Sequence, residues 1–482
     1  PHFVLLPFMA QGHLIPMLDI AKLLASRNCH VTILLTPANQ TRLNDVLSRA
    51  VHSGGLKIQT LTLQFPPPDS DLPAACQNFD NLTSKSDGLK FFAAISLLQN
   101  HVRESLLALD PKPDCLIADM CFSWGSRIAG ELGIPRIIFH GFCCLSLHCS
   151  SIFGSPSAEV ESLAASDLDY FVLPDLPDRI EITRAQLRGT VDDRGKEWDG
   201  FISAMKEDAE GSLGAVVNSF EELESEYVKL YRQKLGMDKK VWCVGPVSLC
   251  NREKVDMAER GSNLATVDRD EIFRWLDRRS AGSVVYVCLG SLAKLPAEQM
   301  VELGLGLELT NRPFIWVVRD PSDQLNHWFA HENFHDRVKG RGLVIEGWAP
   351  QVLILSHPSV GCFVTHCGWN SSLEGIASGL PMITWPVLAE QFLNEKLIVS
   401  VIKTGLRSGV EIPLGFLQEH EVKEVQVKSD GIRGAIEAVM DGGEEGEERR
   451  ERARRLGEAA RIAVDEGGSS YHNMTSLIED VA

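Results

Sequence analysis

Short apolar, β-branched runs alternate with helix-patterned stretches along most of this chain, in two series separated by a polar interval. Such alternation marks a parallel sheet with helices on both faces. The first series is His2 to Phe8, His30 to Leu35, Asp114 to Ala118, Arg136 to Phe139, Ala215 to Asn218 and Val241 to Val244. The second is Ser283 to Leu289, Pro313 to Val318, Gly342 to Glu346, Val360 to Val364 and Pro381 to Trp385. Between them, Asn251 to Asp270 carries few large apolar residues. At 482 residues the chain exceeds what one hydrophobic core supports. The expectation is an α/β protein of two doubly wound, Rossmann-like domains facing a cleft. They would span 1–248 and 271–461, with a linker at 249–270 and a helix at about 462–482 packing back on the first domain. Ligands of such sheets bind beyond the carboxyl ends of the strands, so the residues just after each run matter most.

The formal charge of −18, from 47 Lys and Arg against 65 Asp and Glu, opposes electrostatic capture of nucleic acid or an anionic membrane. Any anionic ligand must be held by local groups. The longest apolar region, Ile137 to Phe153, is interrupted by His140, Gly141, His148 and serines, too polar and too short for a membrane span. Twelve cysteines without paired C-x-x-C spacing favour thiols in a reducing compartment, so a cytoplasmic, monomeric protein is expected. Asn81-Leu-Thr83 matches a glycosylation acceptor that a cytoplasmic chain would not use. His140, Cys143, Cys144, His148 and Cys149 lack the regular pairs of a structural zinc site, so no metal is expected. An apolar acceptor-pocket wall is the better reading of that cluster, although plain core is equally compatible.

Val360 to Val364 leads through Thr365-His-Cys-Gly-Trp369 into a helix starting near Asn370-Ser371. Ser371 and Glu374 have capping-box spacing, which leaves other first-turn amides free for a phosphate, with the His366 imidazole beside them. Trp348-Ala-Pro-Gln351 follows another strand with an indole plane, and Glu390-Gln391 follows a third with a carboxylate and an amide. On the other side, Met9-Ala-Gln-Gly-His13 leads into a helix with Pro16 in its first turn, where Gly12 allows close backbone approach and His13 faces the cleft. Asp119 ends the Asp114 to Ala118 strand. A carboxylate beside imidazole makes a general base; a capping His and a capping Asp are the blander alternatives. There is no G-x-G-x-x-G fingerprint, which disfavours hydride transfer.

The 44 residues from Trp348 to Gln391 resemble, without a gap, the signature of plant secondary-product glycosyltransferases of family 1. PFMAQGH and ADMCFSW resemble that family's dyad segments. The resemblance implies a GT-B fold, His13 and Asp119 as the catalytic dyad, and no cofactor, with UDP-glucose as donor substrate. It implies Trp348 stacked on uracil, Ala349 meeting uracil through its backbone, Gln351 and Glu374 at the ribose, and His366, Asn370 and Ser371 at the phosphates. Ser291 resembles a further phosphate contact, and Trp369, Glu390 and Gln391 belong to the hexose. The expected reaction is inverting transfer of glucose to a hydroxyl of a small lipophilic acceptor such as a triterpenoid, steroid or flavonoid. Another UDP-sugar donor, a UDP-sugar epimerase and a silent binder are the alternatives. Acceptor choice falls to loops such as Pro66 to Lys90 and Phe139 to Arg194.

Overall fold

The computed structural model describes residues 1–67, 69–74, 76–82, 84–153, 162–189, 196–236, 238–260, 267–290, 295–414 and 424–482. Its strands are β1 His2–Leu6, β2 His30–Leu35, β3 Ile58–Thr62, β4 Cys115–Asp119, β5 Arg136–His140, β6 Tyr170–Val172, β7 Glu181–Thr183, β8 Gly214–Val217 and β9 Lys240–Cys243. They continue as β10 Val284–Cys288, β11 Phe314–Val318, β12 Gly342–Glu346, β13 Val360–Thr365, β14 Met382–Thr384 and β15 Gly405–Arg407. Seven form a parallel sheet in the order β3-β2-β1-β4-β5-β8-β9, and six form a second in the order β12-β11-β10-β13-β14-β15. β6 and β7 make a small antiparallel pair. The protein is thus an α/β molecule with two Rossmann-like halves.

Burial on both faces explains the apolar runs. In β1, Phe3 and Leu5 belong to one core while Val4 and Leu6 belong to the core on the opposite face, the two-residue alternation of a strand covered on both sides. Val285 and Val287 of β10 divide from Val284 and Tyr286 in the same way. The strands of the two parallel sheets that sequence reading omits, β3 and β15, lie at sheet edges and are short and partly exposed, so they need no continuous apolar run; it also omits the short pair β6 and β7.

Strand order reverses between β1 and β4 in the first sheet and between β10 and β13 in the second. Register pairs Leu6 with Ala118 and Cys288 with Thr365, so these four strands end side by side at the two crevices where such sheets hold ligands. The polar interval after β9 contains the helix Lys254–Glu259, tied to the first half by Arg49 and Asp256 at 3.2 Å. Farther on, the helix Glu444–Val464 carries the ion pairs its charge pattern implies, Glu448 with Arg452 at 3.3 Å and Glu451 with Arg455 at 2.7 Å.

The helix Ser469–Val481 returns to the first sheet. Met474 and Leu477 lie in the same core as Phe3 and Leu5. Asn473 donates to the Cys243 carbonyl at 3.0 Å, and the Trp242 indole donates to Asp480 at 3.2 Å. Leu477→Ala would leave a cavity beneath β9 and is expected to destabilise the protein by about 2 to 5 kcal/mol in chemical denaturation.

Candidate active site

β1 feeds through Pro7 to Ala10 into the helix Gln11–Ala25, whose capping position, Ala10, has no side chain able to cap. Asp80 takes that role from the short 3-10 helix Phe79–Asn81 and accepts the Gln11 N–H at 2.7 Å. His13 sits in the first turn, with Nδ1 2.7 Å from Oδ2 of Asp119, the fully buried last residue of β4. The other Asp119 oxygen accepts the Cys121 N–H at 3.0 Å. Phe8 and Phe142 meet the imidazole edge-on at centroid distances of 5.2 and 6.2 Å. Burial pushes the His13 pKa down. The charge and hydrogen bond of Asp119 and the charges of Glu390 and Asp80 together push it up by more, and the net shift is upward from 6.5.

Pro16 lies beyond the first turn, because the helix already starts at Gln11. Having no N–H, it leaves the Gly12 carbonyl, four residues earlier, without a helical donor. That oxygen accepts from Asn370 Nδ2 at 2.6 Å, across the cleft. Asn370 Oδ1 accepts from Asn218 at 3.3 Å, so both polar atoms of this side chain are bonded to the first half, while its main-chain N–H lies in the open first turn of the helix.

The opposite wall is the turn after β13. The helix there begins at Trp369, not at Asn370-Ser371, with Gly368 as an N-cap that lacks a capping side chain. The expected capping box is therefore absent: Ser371 is the third helical residue and Glu374 the sixth. Three-residue spacing also places two residues on one face of a helix interior. Here both turn to Gln351, whose Nε2 donates to Ser371 Oγ at 3.0 Å and to Glu374 Oε2 at 2.8 Å. The other Glu374 oxygen pairs with Arg260. First-turn amides are left without side-chain partners, which strengthens the case for an anion site.

His366 is held between two glycines. A Cβ at Gly290 or Gly368 would lie 2.5 or 2.3 Å from its Nε2, so no larger residue fits at either position without moving the ring. Burial drives its pKa down to about 4 despite a backbone hydrogen bond to Cys288, and its Nδ1 has no partner among the described residues. The imidazole is neutral and offers a hydrogen bond, not a charge. Cys367 and Ala389, both non-glycine, hold left-handed backbone at φ 63° and 53° in the two loops that frame this wall, a local strain that clusters at functional sites.

Trp369 is buried, and its indole N–H donates to the Asn218 carbonyl at 2.7 Å. Its backbone and ring edge are what remain for a ligand. Gln391 spends its carbonyl oxygen on the amides of Val387 and Leu388 at 2.8 and 3.1 Å, fixing the loop that carries Glu390. Burial raises the Glu390 carboxyl to about 7, against His13 and a hydrogen bond from Asn394. Trp348 lies under the Arg319 guanidinium, 5.3 Å from its ring centroid. Ala349 adjoins it, its carbonyl accepting the Gln351 N–H at 2.8 Å. Ser291 lies outside the described residues.

One cavity of about 470 Å³ unites these walls. Gly12 and His13 line it on one side; Trp348, Ala349, Gln351, His366, Trp369, Asn370, Ser371, Glu374, Glu390 and Gln391 line it on the other. Sequence reading missed Asp80, Arg260, Arg319 and the aromatic wall of Phe79, Phe92 and Trp198. Arg319 alone had a signal, directly after a strand; Phe79 and Asp80 stand in the 3-10 helix Phe79–Asn81, Arg260 in the linker, and Phe92 and Trp198 in the helices Lys85–Leu97 and Lys196–Glu210. The His140 to Cys149 cluster is chiefly core, not pocket wall. His140 bonds to Tyr231 at 3.0 Å and the cysteines are buried, while only Gly141 and Phe142 of that region reach the cavity. Among the described residues, one trio, His13, Asp119 and Cys121, has potential metal-ligating atoms within 4.8 Å of one another. Their mutual hydrogen bonds account for that proximity.

The family model described as UDP-glucoronosyl and UDP-glucosyl transferase matches residues 267–412. UDP-glycosyltransferase 73C5 of Arabidopsis thaliana is 46% identical over 482 residues, all of this chain and 96% of that protein. UDP-glycosyltransferase 73E1 of Stevia rebaudiana is 50% identical, again with 100% and 96% covered. Among solved structures, Glycyrrhiza uralensis UGT73P12 complexed with glycyrrhetinic acid 3-O-monoglucuronide superposes with a TM-score of 0.87 at 35% identity, covering 100% of this chain and 95% of that one. Phytolacca americana UGT2 complexed with UDP-2fluoro-glucose and pterostilbene gives 0.76 at 26% identity, covering 100% and 99%.

Trp369→Phe would leave the Asn218 carbonyl buried without its donor. A loss of about 1 to 3 kcal/mol in urea unfolding is expected.

Proposed function

As a member of the UDP-glucoronosyl and UDP-glucosyl transferase family the chain is a UDP-glycosyltransferase, and we propose that it transfers glucose from UDP-glucose to a hydroxyl of a small lipophilic acceptor, with inversion. The observation that carries this reading is His13, bonded to buried Asp119 at 2.7 Å, on the same cavity as an uncapped helix N-terminus.

With Asp119 accepting from Nδ1–H, the lone pair on His13 Nε2 takes the acceptor proton. The freed oxygen attacks the anomeric carbon from the face opposite UDP, and the bond to the β-phosphate oxygen breaks. Charge growing on that phosphate is met by the main-chain amides of Asn370 and Ser371, the helix dipole and the neutral His366. A single displacement turns an α-linked donor into a β-glucoside. Uracil stacks on Trp348 beside Ala349, a contact worth about 1 to 3 kcal/mol by analogy with base stacking on aromatic side chains. Ribose meets Gln351 and Glu374; the hexose meets Trp369, Glu390 and the NH2 of Gln391. Ser291 belongs to the phosphate contacts in the same reading.

The acceptor side is aromatic and apolar, with Phe8, Phe79, Phe92, Phe142, Trp198 and Met205 around His13. This wall supports a triterpenoid, steroid or flavonoid acceptor. Two structural relatives are complexed with glycyrrhetinic acid 3-O-monoglucuronide and with pterostilbene, which supports a small-molecule acceptor. Twelve cysteines, all free and eight of them buried, support the reducing cytoplasm as its compartment.

Positioned base catalysis contributes about 10² to 10⁴ in rate, so His13→Ala is expected to lose that much kcat while UDP binding, read by calorimetry, stays near wild type. Near-normal turnover would remove His13 from the mechanism. The base must be neutral, so kcat/KM with UDP-glucose should climb with pH through an acid limb above 6.5, where the raised His13 pKa falls. Asp119→Asn removes the charge that raises His13 and keeps the burial that lowers it. Its pH profile should show a smaller plateau with the limb moved to lower pH. An unmoved limb would assign it to another group.

A further inference from the structure

The guanidinium of Arg260 lies between two buried carboxylates that belong to different halves of the protein. Its Nε is 2.9 Å from Oδ2 of Asp19, on the helix Gln11–Ala25, and its Nη1 pairs with Oε1 of Glu374, on the helix Trp369–Ala377. All three side chains are at most 8% exposed. Arg260 also lines the same cavity as Gln351, Ser371 and Glu374.

We propose that Arg260 is a positioning residue for the nucleotide: anchored on Asp19, it holds the Glu374 carboxylate in the one orientation from which it accepts ribose hydroxyls. The inference rests on the reading of Glu374 as a ribose contact. A carboxylate has about four lone-pair sites. Glu374 gives one to Arg260 and one to Gln351 Nε2, which leaves acceptor capacity on both oxygens for a diol. A planar guanidinium can reach two carboxylates at once through a fixed fork, whereas an ammonium is a single point donor on a flexible stem. The Asp19 end is itself fixed, since Oδ1 accepts from Asn251 Nδ2 at 2.8 Å. Ribose recognition in the second half is thereby referenced to a helix of the first half, the one that carries His13.

Arg260→Lys, Asp19→Asn and Glu374→Gln in the full chain test this by calorimetric binding of UDP and of 2′-deoxy-UDP. A ratio of the two affinities responds to ribose recognition and not to general loosening of the fold. Wild type should prefer UDP. Arg260→Lys should weaken UDP by about tenfold, the scale of one hydrogen bond to a charged group, and bring the ratio close to one. KM for the donor should rise while KM for the acceptor stays. Asp19→Asn, which keeps shape and an acceptor oxygen, should move the ratio the same way, and it decides the matter should Arg260→Lys fail to fold. A wild-type ratio in these variants, with the ratio lost in Glu374→Gln, overturns the role of Arg260 alone. A ratio that survives Glu374→Gln overturns the ribose assignment, and this inference with it.

Discussion

The indole N–H of Trp369 has one acceptor, the main-chain oxygen of Asn218, and the relation between the two halves of the site depends on that bond. Each sheet can place loops at its own strand ends, but nothing within a sheet fixes its distance from the other. A buried donor without an acceptor costs more than a typical hydrogen bond contributes, so the contact is strongly directional. Asn218 extends the linkage: its side chain donates to Asn370 and accepts the Val247 N–H. The missing N–H of Pro16 adds a third point by exposing Gly12 to the same asparagine. These contacts between the lobes, beside others such as Ser146 with Asn394 at 2.9 Å, are made by groups close to the proposed phosphate and base positions.

A chain of charge −18 built to hold a diphosphate has an electrostatic problem, and the cleft meets it with dipoles more than with free cations. The helix N-terminus is open, His366 is neutral, and Arg260 is already matched by two carboxylates, while Arg319 lies over the Trp348 ring. At the base, Asp119, Glu390 and Asp80 together outweigh the desolvation of His13.

Much of this arrangement was legible in the residues. Parallel strands announce themselves because both faces are buried, and β1, β4, β10 and β13 carry most of the site at their ends. The resemblance of Trp348 to Gln391 pointed to residues that the fold gathers on one wall. What escaped did so for physical reasons. Edge strands β3 and β15 lack a second buried face. The Ser371 and Glu374 pair has a spacing common to helix starts and helix interiors, and only the structure shows which applies. The His140 to Cys149 segment reads as apolar whether it faces a ligand or a core. Arg260 stands in a polar stretch where no periodicity marks it, because its partners are about 114 and 241 residues away and belong to other elements.

The return of the helix Ser469–Val481 to β9 bears on how such a chain is made. Domains tend to fold as units in order of synthesis, the first before the second. Here the core under β1 includes Met474 and Leu477, which leave the ribosome after every strand of both sheets. The first sheet therefore emerges with an uncovered apolar strip beside β9, and its completion waits for translation of the second half. Nascent chains stalled between residues 290 and 460 would present that strip to chaperones.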